Sequence, residues 1–320
     1  MVQYEELFER NMGVLTREEQ ERLRQSCVLV VGCGGVGGTV AVSLARSGVE
    51  SFILVDYDDY EPSNMNRQVG CFTSTLGRKK AEVIAEQILE INPEAKVRCH
   101  PEYLSLDEVA RLMGDADLVF PAADDFAFSI MVFREARLQK KPALLVFPSG
   151  TWANVTIIPE KGHTVEDVEG VPKLATYEEL AEMLETRKYK MGTYYYVRRG
   201  NWKLDYYERF LSGEAPPAQL GPIVWMAASL GAMEAVKLLS GRWEPVQAPR
   251  YWTITTENIK VNRVNAPSAQ TLLVWQRQAA WRIFQGPLGQ VMEKAQALWY
   301  RQFTRRMAAR EKRRAKRTGN

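Results

Sequence analysis

The first 160 residues alternate short apolar runs with longer segments of helical periodicity. The first run, Cys27–Val31, is unbroken and rich in β-branched residues, which is typical of a strand buried on both faces. Further runs predict strands at 52–55, Lys96–His100, 117–120, 143–147 and 153–158, and the intervening segments predict helices at 40–47, 79–91, Leu106–Met113 and 126–139. Strands that alternate with helices predict an α/β fold with a Rossmann-like, doubly wound, mostly parallel sheet.

The pattern changes after residue 160. Residues 160–218 contain one clear helix candidate, Tyr177–Glu185, then an aromatic and basic run at 194–199 and a Pro-Gly-rich end at 213–217. The tyrosines of this run are interpreted as local packing, and contact with a partner protein or a nucleic acid is the open alternative. The segment is therefore expected to differ in kind from the sheet that precedes it.

The last third of the chain predicts a long helix, a hairpin and a helical tail. Residues 222–240 are the longest apolar stretch, but Glu234 and Lys237 at its centre argue against a membrane span. Antiparallel edge strands are predicted at 251–255 and 259–264. The tail, 265–320, predicts two helices separated at Gly286-Pro287.

A glycine cluster follows the first predicted strand and an acid follows the second. Glycines at this position permit a tight turn and let a phosphate approach the backbone at a helix N-terminus. Asp56, at the end of the second strand, can accept hydrogen bonds from ribose hydroxyls. The glycines concerned are Gly32, Gly34, Gly35 and Gly37. This βαβ fingerprint is typical of nucleotide binding and leaves an NAD-dependent oxidoreductase open.

The segment after Asp56 changes the interpretation. It carries polar and cationic side chains at the edge of the same crevice: Asp58, Ser63, Asn64, Arg67, Gln68 and Lys80. A dinucleotide site needs little cationic help, whereas fixed cations lower the barrier to breaking a triphosphate. Each residue alone is also compatible with a solvated loop, so the prediction depends on the set.

These motifs together resemble the ThiF, MoeB and HesA enzymes, which are adenylyltransferases related to ubiquitin-activating enzyme; threonylcarbamoyl-adenosine dehydratases belong to the same group. The resemblance lies in Gly32-x-Gly34-Gly35-x-Gly37, Asp56-x-Asp58, Ser63-Asn64-x-x-Arg67-Gln68 and Gly77-x-x-Lys80. It covers about residues 7–158 and 219–264, so an adenylation domain is expected at 1–264, with 160–218 as its variable crossover over the substrate.

The resemblance implies adenylation of a carboxylate: R–COO⁻ and MgATP give R–CO–AMP and pyrophosphate. The expected substrate is the C-terminus of a small ubiquitin-like or sulfur-carrier protein, and a dehydratase acting on threonylcarbamoyl-adenosine in tRNA is the alternative within the class. A carboxylate is already ionised, so no general base is required.

The resemblance also assigns roles to residues. Asp56 is expected to bind the ribose, Arg67 and Lys80 (with Asn64) the triphosphate, and Asp124 a Mg²⁺ ion. Asp124 is followed by Asp125, where the family usually has asparagine. Arg10 is expected to reach the site of the second subunit of a homodimer, as an arginine finger does.

All four cysteines lie in the first third of the chain, and no two are separated by only two residues. No thiol follows Cys99, so we expect adenylation without an enzyme thioester; Cys71 is interpreted as a buried small residue. The four-cysteine zinc site of MoeB and ThiF is also missing from the sequence, which predicts a zinc-free member. A reducing cytoplasm is the expected location, since no signal segment is recognised at the N-terminus.

The charge is distributed unevenly. From Arg301 onward there are nine basic residues and one acid, Glu311, so this end carries +8 and leaves about −5 for the rest of a chain whose total is +3. Two interpretations stay open: a docked helix with a solvated basic end, or a clamp on RNA or on an acidic partner.

Overall fold

A computed structural model describes residues 3–186, 199–264 and 289–318. Its centre is one sheet of eight strands, in the order β3-β2-β1-β4-β5-β6-β7-β8. The first five positions of that order are joined by parallel pairs and the last three strands are antiparallel. The strands are β1 Cys27–Val31, β2 Ser51–Val55, β3 Lys96–His100, β4 Leu118–Pro121, β5 Ala143–Ser149, β6 Trp152–Ile158, β7 Arg250–Ile254 and β8 Ile259–Arg263. The predicted sheet with antiparallel edge strands is confirmed.

Helices cover both faces of this sheet. In the described ranges they are α1 Tyr4–Leu7, α2 Arg17–Gln25, α3 Gly37–Ala45, α4 Lys80–Ile91, α5 Leu106–Met113, α6 Phe126–Leu138, α7 Val165–Glu169, α8 Tyr177–Glu185, α9 Leu204–Ser212, α10 Gly221–Ser240 and α11 Gly289–Thr318. Short 3₁₀ turns lie at Glu9–Gly13 and Pro62–Asn64.

The side chains of β1 alternate between two cores. Val28 and Val30 pack in the cluster that contains α3, α4 and α10, whereas Leu29 and Val31 pack in the cluster that contains α5, α6 and α8. A strand whose two faces are both covered must be apolar throughout, which explains its unbroken apolar sequence. The same arrangement places the carboxyl ends of the parallel strands at one edge of the sheet.

The helix bounds follow the prediction closely, with one informative difference. Helix α3 begins at Gly37, three residues before the predicted start at residue 40. Its first residues are glycines, which carry no apolar periodicity, so the pattern could not show them. Helix α2 begins with a capping box: Thr16 Oγ1 accepts from the Glu19 amide at 3.2 Å, and the Thr16 amide donates to Glu19 Oε2 at 2.8 Å.

Helix α10 is long and apolar enough to span a membrane, yet 61% of its most apolar window is buried inside the protein. Glu234 on this helix is fully buried. Its carboxylate accepts from Lys237 Nζ at 2.6 Å, Trp252 Nε1 at 2.7 Å and the Val246 amide at 2.6 Å. These bonds fix the chain before β7 onto α10, so a charged residue at the helix centre serves packing.

The crossover segment is held against α6 by an arginine. Arg134 Nε donates to Glu166 Oε1 of α7 at 2.7 Å, and its other nitrogens donate to the carbonyls of Pro172 and Ala175 at 3.0 and 2.5 Å. Helices α7 and α8 are therefore fixed beside the carboxyl ends of β4 and β5. Residues 194–198 of the aromatic and basic run, and the predicted break at Gly286-Pro287, lie outside the described residues.

Candidate functional site

Two glycines in the turn after β1, Gly32 and Gly37, have no space around them for a side chain. A Cβ on Gly37 would lie 1.8 Å from the Gly32 carbonyl oxygen. Gly32 itself has a φ of +103°, and its Cβ would lie 2.4 Å from the Ala122 oxygen after β4. These contacts bring the turn, the N-terminus of α3 and the end of β4 together.

Gly34 differs from its neighbours because the space around it is open. The nearest atom to a Cβ built there is Gln68 Nε2 at 3.6 Å, an ordinary contact distance. Gln68 is 4% exposed, and among the described residues its Oε1 has no hydrogen-bond partner. An unsatisfied buried acceptor beside an open glycine is suited to a polar ligand such as a nucleotide.

Asp56 is tied to the turn by both carboxylate oxygens. Its Oδ2 accepts from the Cys33 amide at 2.6 Å and its Oδ1 accepts from the Asp58 amide at 2.9 Å. Burial raises the pKa of Asp56, although these hydrogen bonds and the nearby Lys80 ammonium oppose the shift. The side chain is thus fixed where the sequence predicted a ribose-binding acid.

Lys80 is a buried cation at the N-terminus of α4, 5% exposed. Its Nζ donates to Asp58 Oδ2 at 2.8 Å. Burial disfavours the ammonium, but the hydrogen bond to Asp58 and the charges of Asp56 and Asp124 outweigh it and raise the pKa of Lys80. Lys80 therefore stays charged and lies among carboxylates, whose place as its partner a polyphosphate could take.

The loop after β2 is stabilised by its own polar side chains. Asn64 is buried, and its Oδ1 accepts from the Glu61 amide at 3.1 Å while its Nδ2 donates to Ser63 Oγ at 3.3 Å. Arg67 Nη1 donates to the Ser63 carbonyl at 3.0 Å. The Arg67 carbonyl in turn accepts from Trp225 Nε1 of α10 at 2.7 Å. In this arrangement Asn64 and Ser63 shape the loop and Arg67 is the side chain that faces the cavity.

A cavity of about 700 Å³ lies over the carboxyl ends of β4 and β5. Four predicted residues line it: Gly35, Arg67, Gln68 and Asp124. The crossover supplies the opposite wall, including Glu169, Ala181, Leu184, Trp202 and Phe210. Three other predicted residues, Asp56, Asp58 and Lys80, do not line the cavity. Asp124 does line it, and its charge helps to raise the pKa of Lys80, so the two groups of residues interact electrostatically.

The two acids after β4 have different surroundings. Asp124 and Asp125 are both exposed and both line the cavity, but they differ in their hydrogen bonds. Asp125 caps α6 by accepting from the Phe128 amide at 2.9 Å, and its second oxygen accepts from the Tyr177 hydroxyl of α8 at 2.8 Å. The sequence analysis did not identify Tyr177 as a partner of Asp125, because the contact joins residues 52 positions apart.

A magnesium ion would find one free carboxylate here. Among the described residues there is no group of three or more His, Cys, Asp or Glu side chains able to hold a metal. Mg²⁺ is commonly held by one or two carboxylates together with substrate phosphates and water, so Asp124 alone fits an ion that arrives with a nucleotide.

Arg10 and the four cysteines are not among the residues that line this cavity. Arg10 is exposed on the 3₁₀ turn Glu9–Gly13 and is not among the residues that line the cavity. Cys71 is 4% exposed, which agrees with the predicted buried role. Burial raises the pKa of Cys33 and Cys71, and that of Cys99 to about 11, so these thiols stay protonated near neutral pH.

Comparison with known proteins identifies the family of this chain. The sequence matches the model of the ThiF family over residues 8–273. This chain belongs to the ThiF family. The glycine turn and the cavity described above are therefore the expected position of the family's nucleotide site.

Curated relatives from two groups are similar to part of the chain. The tRNA threonylcarbamoyladenosine dehydratase of Bacillus subtilis (strain 168) is 34% identical over 138 residues, which is 43% of this chain and 54% of the relative. A probable adenylyltransferase/sulfurtransferase MoeZ of Mycobacterium tuberculosis is 37% identical over 123 residues, 38% of this chain and 31% of the relative. The chain thus spans about half or less of the length of these relatives.

Solved structures agree on the fold. The microcin C7 biosynthetic enzyme MccB in complex with N-formylated MccA superposes with a TM-score of 0.62 at 24% identity, over 80% of this chain and 71% of that one. E. coli MccB with ATP gives a TM-score of 0.59 at 23% identity, over 77% of this chain and 65% of that one. At this identity the likeness establishes the architecture alone.

Proposed function

We propose that this protein binds ATP in the crevice of the glycine turn and transfers AMP to a carboxylate. The observation that carries the proposal is the pairing of buried Lys80 with Asp58, with the charges of Asp56 and Asp124 near enough to act on the lysine. A positioned and permanently charged cation is what the leaving pyrophosphate of an adenylation would require. Membership of the ThiF family favours this chemistry over hydride transfer to a nicotinamide, which stays the rival outside the class.

Each residue has a distinct task in the proposed reaction. Asp56 would accept hydrogen bonds from the ribose hydroxyls, and Gly34 leaves room for the phosphates. Lys80 and Arg67 would neutralise charge that grows on the departing pyrophosphate, and Asp124 would hold Mg²⁺. The attacking carboxylate is anionic and needs no base, so the protein acts by orientation and by charge.

The proposed substrate is the C-terminal carboxylate of a small ubiquitin-like or sulfur-carrier protein. Similarity to MoeZ, whose name combines adenylyltransferase and sulfurtransferase, supports this assignment. The cavity offers a half-apolar wall from the crossover, including Ala181, Leu184 and Phe210, which suits an extended chain end.

We further propose a homodimer in a cytoplasmic setting, with α10 at the interface because Trp225, Met226 and Met233 are 40% or more exposed on it.

A second candidate is the dehydratase reaction on threonylcarbamoyl-adenosine of tRNA. The similarity to dehydratases from several bacteria supports it, as does the basic helix α11. In this case too the first step is the activation of a carboxylate, so the nucleotide site would be unchanged and only the bearer of the carboxylate would differ.

ATP–pyrophosphate exchange tests the proposal. Exchange is measured with candidate carrier proteins and, separately, with tRNA bearing threonylcarbamoyl-adenosine. Lys80→Ala is expected to reduce exchange at least 100-fold, on the order of the loss of one transition-state contact. Lys79→Ala is the matched control, because Lys79 is the neighbouring lysine and pairs with Asp59 at 3.0 Å on the surface. Equal exchange in both variants would refute the role of Lys80.

A further inference from the structure

The basic helix α11 is anchored on the body of the protein. Phe303 and Met307 are each 7% exposed and pack with Tyr207 and Leu211 of α9. The Tyr207 and Phe303 rings meet edge to face with centroids 5.9 Å apart, and the Tyr300 hydroxyl donates to the Glu208 carboxylate. The apolar face of the helix is therefore occupied by α9.

This anchor lies at the rim of the cavity. Phe210 of α9 and the preceding Trp202 both line the cavity, and both belong to the cluster that holds α11. Their ring centroids are 5.3 Å apart. Helix α11 is thus fixed next to the proposed substrate entrance.

Along its length α11 carries a row of six exposed cations. Its members are Arg301, Arg305, Arg306, Arg310, Lys312 and Arg313. At a rise of about 1.5 Å per residue the row extends over roughly 18 Å. Glu311 is the only acid from Arg301 onward, whereas the remainder of the chain is net acidic. The positive charge of the protein is therefore concentrated on this one helix.

The partner that best fits this row is a polyphosphate backbone. Five of the six exposed cations are arginines, whose planar guanidinium groups bind phosphate in two-point contacts. An amphipathic helix that binds membranes inserts its apolar face, but that face of α11 is already packed on α9.

We propose that α11 is an RNA-binding helix that presents the sugar–phosphate backbone of an RNA at the rim of the cavity. The inference concerns binding and does not require that adenylation occur. If the tRNA dehydratase candidate holds, this helix supplies the contact that positions the tRNA.

Fluorescence anisotropy with the full chain and a labelled tRNA transcript tests the proposal. The variant Arg305→Glu/Arg306→Glu/Arg310→Glu reverses three charges of the cation row. We expect its affinity for the transcript near 0.1 M salt to fall on the order of 100-fold, and the slope of log K against log salt to decrease by about 2 to 3. The control Arg111→Glu/Lys140→Glu/Lys161→Glu makes the same charge change at exposed positions elsewhere and is expected to bind like wild type.

Three further probes distinguish RNA from other polyanions. Duplex DNA of equal phosphate number, polyglutamate and phosphatidylserine vesicles are titrated in parallel, with the thermal midpoint and MgATP affinity of the variants measured as checks on folding. Tighter binding of the tRNA transcript than of the other three supports the proposal. Equal or tighter binding of any of the three, or a loss in the control as large as in the α11 variant, overturns it.

Discussion

At the residue scale, the site depends on buried charges that hold one another. Asp56 would be costly to bury alone, and two backbone amides and Lys80 compensate for it. The compensation is incomplete, because burial still raises the pKa of Asp56 above its ordinary value of 3.8. The native state therefore holds this carboxylate at some expense in stability, which is typical of groups kept for binding.

The raised pKa of Asp56 predicts a specific pH dependence. Its stabilising contribution is present below pH 3.8 and is lost as the pH rises through the raised pKa, because the folded state holds the proton more tightly than the unfolded state. The unfolding free energy of wild type relative to Asp56→Asn should therefore shift in favour of wild type on acidification. Urea unfolding of both proteins over a pH series measures this difference in unfolding free energy. A difference that does not change with pH would contradict the raised pKa of Asp56.

Alanine substitutions at two glycines of the same turn are expected to affect different properties of the protein. Gly37→Ala should destabilise by at least about 3 kcal/mol or prevent folding, since its Cβ meets the Gly32 oxygen at 1.8 Å. Gly34→Ala should change stability by less than about 0.5 kcal/mol but lower ATP affinity on the order of tenfold, because it fills the open space beside Gln68. Thermal unfolding and ATP titration separate the two. Unchanged ATP affinity in Gly34→Ala would show that the phosphates do not approach there.

At the element scale, a side-chain hydrogen bond joins one helix of the crossover to the site. The bond from Tyr177 to Asp125 joins α8 to the start of α6, and Ala181 and Leu184 of α8 line the cavity. The aspartate at this position offers one carboxylate oxygen to the α6 cap and the other to the Tyr177 hydroxyl, which donates to it.

Removing this bond should loosen α8 without affecting the nucleotide. Tyr177→Phe is expected to speed amide exchange in α8 by about fivefold to tenfold, equivalent to about 1 kcal/mol of lost hydrogen bonding, while ATP affinity stays unchanged. Tyr103→Phe, which removes another exposed hydroxyl, is the control. If amide exchange in α8 is equally fast in both variants, the hydrogen bond from Tyr177 to Asp125 does not stabilise the position of α8.

The sequence predicted most elements of the sheet because strands buried on both faces leave an unambiguous apolar signal. Helix α9 was missed, although Leu204, Tyr207 and Leu211 have helical spacing, because its apolar face is short and lies among charged residues. Motif order and the common edge of parallel strands predicted one group of Asp56, Arg67, Lys80 and Asp124, of which Arg67 and Asp124 line the cavity. The partnership of Tyr177 with Asp125 and the docking of α11 on α9 depend on tertiary packing, which local pattern does not encode.

At the scale of the whole molecule, the chain separates three tasks. The sheet carries the proposed nucleotide site, the crossover supplies one wall of the cavity, and α11 places positive charge beside it. Arg10 belongs to none of these within one chain, since it is exposed and does not line the cavity. A role for it therefore requires a second copy, as the family resemblance implies.

Mixing two inactive variants tests that role. Arg10→Ala and Lys80→Ala are each expected to lose pyrophosphate exchange. A mixed dimer contains one site with an intact Lys80 and an Arg10 from the other subunit, so about a quarter of wild-type activity should return after subunit exchange. Exchange is assayed before and after mixing. No recovery in dimers shown to be mixed would place Arg10 outside the partner's site.

The most direct test of the central claim is a calorimetric titration of the purified chain with MgATP and, separately, with NAD⁺. The account predicts that MgATP binds at one site per chain, that NAD⁺ binds at least tenfold more weakly, and that Lys80→Ala weakens MgATP binding while Lys79→Ala does not. Tight binding of NAD⁺ with no heat from MgATP would contradict it.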